Sequence, residues 1–204
     1  MAQGPLTPRR LLGLDRSGDL PAATRRGEPL RPWTIPNAVG YMRLALIPVF
    51  LLLGLSSGDG RAPAAALLYA FIGGTDYLDG MLARLTGQYS RLGALLDPVA
   101  DRLLVLAGAI VAWNFELLPR WALAALAARE LFMLVLTELA LRRGIDFEIK
   151  MIGRWAVWPT MFSIFLAMIS TTWLADALLL VGLGLSVWAT LLYLSDGLRL
   201  RHRA

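Results

Sequence analysis

The strongest chemical signal in this chain is a set of four aspartates, Asp76, Asp79, Asp97 and Asp101, gathered within 26 positions of an otherwise apolar region. Their framework reads Asp76-x2-Asp79-Gly80-x2-Ala83-Arg84-x8-Gly93-x3-Asp97-x3-Asp101. Carboxylates in or beside membrane-spanning segments are costly to keep, and their presence points to function. On a helix, Asp76, Asp79, Gly80, Ala83 and Arg84 share one arc of roughly 140°. Gly93, Asp97 and Asp101 recur every fourth residue and form a single stripe on the next helix. A short turn near Thr86-Gly87-Gln88-Tyr89 makes the two helices antiparallel neighbours, so their acidic faces meet. Four anions at such range repel one another. One or two Mg²⁺ or Mn²⁺ ions relieve that repulsion, because carboxylate oxygens suit hard cations.

Gly80, Ala83 and Gly93 leave space beside these carboxylates. Small residues in membrane helices commonly serve close helix packing. Next to four carboxylates and Arg84 they favour a ligand instead: a pyrophosphate held by the metals, with a nucleotide lying over the glycines.

The elements that must hold this cluster are membrane helices. Of the 204 residues, 57% are hydrophobic, against about 45–50% in soluble domains, and the excess lies in long blocks. Six candidate spans, each near the ~20 residues a bilayer requires, fall at roughly 38–57, 63–84, 91–114, 119–142, 153–173 and 176–198. The expected fold is therefore an all-α integral membrane protein, a six-transmembrane-helix bundle over residues 31–200 with a juxtamembrane N-terminal segment. Residues 1–30, rich in Arg, Pro and Gly, are expected to form a disordered cytoplasmic arm. The segment Leu30–Pro36 is either a surface-lying stretch with Trp33 at headgroup level or a plain linker.

Charge sets the orientation. With the N-terminus cytoplasmic, that side collects fifteen basic residues and the other only Arg61 and Arg120. Both termini and the aspartates then face the cytoplasm of a cell membrane. The formal charge of +5 points to anionic lipid headgroups rather than nucleic acid, given the apolar blocks. Cysteine is absent and the single His202 lies in the tail, which argues against disulfides, zinc sites and histidine catalysis.

Other charged residues have two readings each. Arg129-Glu130 is an internal ion pair that orients the site or a purely structural one. Arg43 is a phosphate contact or a partner for an internal carboxylate. Arg102 points away from the Asp101 face and is expected to snorkel toward headgroups. Trp113, Trp121, Trp155, Trp158 and Trp173 read as interfacial anchors.

The aspartate framework resembles, position for position, the signature of the CDP-alcohol phosphatidyltransferase family. All eight fixed residues are present over 76–101. The resemblance extends more loosely over about residues 35–198, through the six-span layout and the Ile35-Pro36-Asn37…Arg43…Pro48 opening. It implies transfer of the phosphatidyl group of CDP-diacylglycerol to an alcohol, with release of CMP, in phospholipid synthesis. By that resemblance Asp76, Asp79 and Asp97 bind the metal ions. Asp101 completes the second metal site and acts as base for the acceptor hydroxyl. Asn37, Gly80, Ala83, Arg84, Ser90 and Gly93 contact the cytidine diphosphate. The family also implies a homodimer.

For the acceptor, Arg129, Lys150 and Arg154 are the candidate contacts. Relatives that use glycerol-3-phosphate often read Gly-Lys-x-Lys-Thr where this chain has Gly153-Arg154-Trp155-Ala156-Val157. That departure, with the wording Leu96-Asp97-Pro98-Val99-Ala100-Asp101-Arg102, is similar to the cardiolipin synthase branch, whose acceptor is phosphatidylglycerol. Glycerol-3-phosphate is the alternative. A cation transporter using the same carboxylates would spread them through the membrane depth on broken helices, whereas here they cluster at one face.

Overall fold

The computed structural model describes residues 31–143 and 151–201, and among them it contains six helices and no strand. These are α1 (Ile35–Leu55), α2 (Pro63–Thr86), α3 (Arg91–Asn114), α4 (Arg120–Arg143), α5 (Met151–Ile169) and α6 (Trp173–Arg201). The expected N-terminal arm lies outside the described residues, as do Lys150 and His202.

Local chemistry sets the helix ends. Thr34 caps α1 by accepting the Asn37 N–H on its side-chain oxygen at 3.3 Å, and Pro36 fits the first turn, where its missing N–H leaves no bond unmade. The α2 helix opens on Pro63 and stops at Gly87, whose φ of 66° is the left-handed conformation that glycine adopts without penalty. Three residues later Ser90 caps α3, accepting the Gly93 N–H at 2.9 Å. The resulting tight turn makes α2 and α3 antiparallel, as expected. The α5 helix ends at Ile169, about four residues sooner than its hydrophobic run suggests. There the polar trio Ser170-Thr171-Thr172 takes over, with the Ser170 hydroxyl on the Leu166 carbonyl and Thr172 accepting the Leu174 N–H.

Helix α1 lies across α2 and α3, both of which rest on α5; α5 and α6 form the most extensive pair, and α4 packs on α3 and α6. The core is built from Phe50, Tyr69, Ile72, Leu104, Val111 and Ile164, among others, with the Phe50 and Tyr69 rings 5.1 Å apart. Small residues allow the close approaches typical of membrane helices. A Cβ at Gly182 of α6 would lie 2.2 Å from the Thr160 hydroxyl of α5.

The outer surface carries Leu52, Leu67, Phe71, Val135, Trp158 and Trp188, all exposed. Such a face suits hydrocarbon rather than water. By length and composition α1 and the Trp173–Leu192 part of α6 can each cross a membrane, and Val157–Ile169 of α5 is a shorter apolar stretch. Trp113, Trp121 and Trp173 are exposed near one end of the bundle, where the Arg120 guanidinium also covers the Trp113 ring at 5.6 Å. Trp158 is exposed at the start of the apolar Val157–Ile169 stretch of α5.

Candidate functional site

At the other end of the bundle the N-termini of α1 and α3 meet the C-terminal part of α2. There Arg43 of α1 is completely buried and reaches two aspartates on two other helices. One guanidinium nitrogen donates to Asp76 Oδ1 of α2 at 3.1 Å, and the other donates to Asp101 Oδ1 of α3. The carboxylates themselves remain open, with 47% of the Asp76 side chain and 34% of the Asp101 side chain accessible. Of the two readings of Arg43, carboxylate partner is the one the structure adopts. Asp97 stands one turn before Asp101 on the same face of α3 and is partly buried.

Asp79, Gly80 and Arg84 continue α2 beyond Asp76, but their side chains lie outside those described; Ala83 between them is half-buried. Among the described residues no three acidic or histidine side chains form a group able to hold a metal ion. The donor set nevertheless fits a hard divalent cation in chemistry. It is all carboxylate, and Asp76 and Asp101 converge from separate helices on one cationic group.

A second node lies beside the first. Asn37 is buried, and its amide donates to the Arg31 and Pro32 carbonyls at 3.0 and 3.1 Å. Its oxygen accepts the Ser90 hydroxyl at 2.7 Å. A Cβ at Gly93 would fall 2.7 Å from that same oxygen. Gly93 is therefore closely packed against Asn37. Asn37 and Ser90, expected at the nucleotide, are engaged in tying the start of α1 to the start of α3. Asn37 also holds residues 31 and 32 against α1, where Tyr41 adds a bond to the Pro32 carbonyl at 3.2 Å. This is an anchored segment rather than a plain linker.

A third node joins α3, α4 and α6. Arg102 does not snorkel to the headgroups. It donates to the Pro98 carbonyl at 3.2 Å and pairs with Glu130 of α4 at 3.7 Å, because Glu130 is buried and needs a cation. Arg129 donates to the other Glu130 oxygen and to the Thr190 hydroxyl of α6 at 3.2 Å. Arg129, expected at the acceptor, is thus held within the bundle. Arg154 falls in the first turn of α5, with its side chain outside those described.

Sequence spacing brought the aspartates together and left Arg43 between a phosphate and an internal carboxylate, but it did not show that Arg43 would reach two carboxylates or that Arg102 would turn to Glu130. The available signal was cost: an arginine within a membrane helix needs a partner.

The chain is similar to known proteins over most of its length. Residues 33–188 match the family described as CDP-alcohol phosphatidyltransferase. A Streptomyces coelicolor protein named cardiolipin synthase (CMP-forming) is 38% identical over 170 residues, covering 80% of this chain and 79% of its own length. Two proteins named CDP-diacylglycerol–glycerol-3-phosphate 3-phosphatidyltransferase are also similar. The one from Pseudomonas fluorescens is 34% identical over 175 residues, covering 78% of this chain and 88% of its own length. The one from Bacillus subtilis is 30% identical over 144 residues, covering 65% and 75% respectively.

Proposed function

This chain belongs to the CDP-alcohol phosphatidyltransferase family, and we propose that it joins the phosphatidyl group of CDP-diacylglycerol to phosphatidylglycerol, releasing CMP and forming cardiolipin. The observation that carries the reading is the convergence of Asp76 and Asp101 from separate helices within the eight-residue signature.

In this reading Asp76, Asp79, Asp97 and Asp101 hold one or two Mg²⁺ or Mn²⁺ ions, which when bound neutralise the pyrophosphate and the departing CMP. Arg84, Gly80 and Ala83 face the cytidine diphosphate from α2; Asn37, Ser90 and Gly93 shape its far wall through their mutual packing. The acceptor hydroxyl oxygen attacks the phosphatidyl phosphorus and its proton passes to Asp101. The bond from that phosphorus to the oxygen bridging it to CMP then breaks. Lys150 and Arg154 supply positive charge for the acceptor phosphate.

All six helices span the membrane in this arrangement, with both termini and the aspartates on the cytoplasmic side. Support comes from the fifteen-to-two distribution of basic residues and from the apolar exterior. A homodimer is the assembly the family resemblance favours.

Glycerol-3-phosphate is the second reading of the acceptor, favoured by the similarity to the Pseudomonas and Bacillus proteins. An acceptor panel decides between them. Purified protein is incubated with CDP-diacylglycerol, Mg²⁺ or Mn²⁺, and phosphatidylglycerol, glycerol-3-phosphate, inositol phosphate or serine. Cardiolipin and CMP in the first arm are the expected products. Phosphatidylglycerol phosphate in the second arm instead transfers the assignment to the second reading, and no CMP with any acceptor removes the enzyme reading.

A further inference from the structure

We propose that Arg43 is a resident counter-cation of the acidic site, a positioning residue that holds Asp76 and Asp101 in register when no divalent ion is bound. The proposal rests on the metal-binding reading given above and adds a role for a residue outside the acidic set.

Three observations support it. Arg43 is wholly buried, whereas the two carboxylates it holds are 47% and 34% accessible, so the cation approaches from the protein side and leaves their outer faces open. Its two terminal nitrogens serve two different helices, one each for α2 and α3. A planar guanidinium with fixed donors can set a separation between two carboxylates, which a flexible ammonium cannot do as well. Finally, the signature alone offers no cation on α1. Asp76 and Asp101 lie 33 and 58 residues from Arg43 in sequence.

The physical consequence is a division of labour between Arg43 and the metal. Without either, two carboxylates from separate helices repel across the buried space that the guanidinium fills. With Arg43 present, the site keeps its shape between turnovers. Removing the guanidinium should make the fold depend on divalent ions.

The test compares wild type, Arg43→Gln, Arg43→Lys, and Arg43→Gln combined with Asp76→Asn and Asp101→Asn, all as full-length protein in detergent. Thermal unfolding is measured in EDTA and in Mn²⁺, and Mn²⁺ binding is followed by the loss of its free-ion paramagnetic signal. Arg43→Gln is expected to lower the midpoint in EDTA by roughly 10 °C, and Mn²⁺ should recover most of that loss. The triple variant should regain stability in EDTA, since its neutral amides no longer repel. Arg43→Lys should stay close to wild type in midpoint but bind Mn²⁺ less tightly.

An equal loss for Arg43→Gln in EDTA and Mn²⁺, with no recovery in the triple variant, would show that Arg43 only fills space and would overturn the proposal. Failure of Mn²⁺ to bind wild type would instead remove the metal reading. In that event the EDTA comparison of Arg43→Gln with the triple variant still decides whether Arg43 neutralises the two carboxylates. Where Arg43→Gln cannot be purified, recovery of soluble protein in the triple variant supports neutralisation, and failure to recover it counts against the proposal.

Discussion

Ser90 donates its hydroxyl to Asn37 Oδ1 at 2.7 Å, joining the N-terminal cap of α3 to the first turn of α1 across 53 residues. Ser90 caps its own helix with the same oxygen, and Asn37 holds two carbonyls of the preceding segment with its amide. Each atom of this node has a defined task. The start of the helix that carries Asp97 and Asp101 is fixed by it.

Asn37→Ala should therefore leave the Ser90 hydroxyl and two carbonyls short of partners. The expected loss is about 1–3 kcal/mol of stability, with residues 31–34 becoming sensitive to proteolysis. Unchanged thermal unfolding and unchanged cleavage would mean that the node does not anchor the segment.

Gly93→Ala tests the same place from the other side. The added methyl meets Asn37 Oδ1 at 2.7 Å, closer than real contacts allow. Overpacking of this kind costs about 1–3 kcal/mol. Asn37→Ala/Gly93→Ala should then be less than additive, because the shorter side chain makes room. Additive losses in a double-mutant cycle would place the Gly93 constraint elsewhere, on a bound nucleotide for instance.

Glu130→Ala removes the buried carboxylate shared by Arg102 and Arg129. Arg102 and Arg129 each lose the carboxylate that offsets their charge, and the expected loss is about 3–5 kcal/mol. Glu130→Gln keeps the shape and some hydrogen bonds, so it should lose less. A smaller loss for alanine than for glutamine would contradict a charge-pairing role.

Asp101→Asn should abolish transfer while leaving binding of CDP-diacylglycerol measurable, since the amide can no longer accept the acceptor's proton. Lipid binding and CMP release measured on the same preparation separate the two effects. Normal turnover would remove Asp101 as the base.

Arg154→Ala should raise the concentration of acceptor needed for half-maximal rate more than that of donor. Steady-state kinetics with each substrate varied in turn gives the comparison. An unchanged response to acceptor would return Arg154 to the general positive charge of its membrane face.

The similarity to known phosphatidyltransferases covers most of the chain, yet the chemical core was already legible in a 26-residue stretch. Helix periodicity alone places Asp97 and Asp101 on one face, and the Gly87–Ser90 turn brings α2 and α3 together. These relations are local, so spacing encodes them. The six helices followed from the lengths of the apolar runs for the same reason, with the largest displacement of an end where Ser170–Thr172 interrupts the run before α6.

Tertiary structure decided which charges meet. Arg43 could have turned to a phosphate and Arg102 to the headgroups; nothing in their immediate neighbours distinguishes these fates. Arg129 has Glu130 beside it in sequence, and the ion pair expected there is formed. Packing of α1 across α2 and α3 buried Arg43 between two carboxylates, and packing of α4 on α3 and α6 gave Arg102 the buried Glu130 and Arg129 the Thr190 hydroxyl. A cation in a dry place must take whatever anion the fold brings near, and the fold brings together residues far apart in sequence.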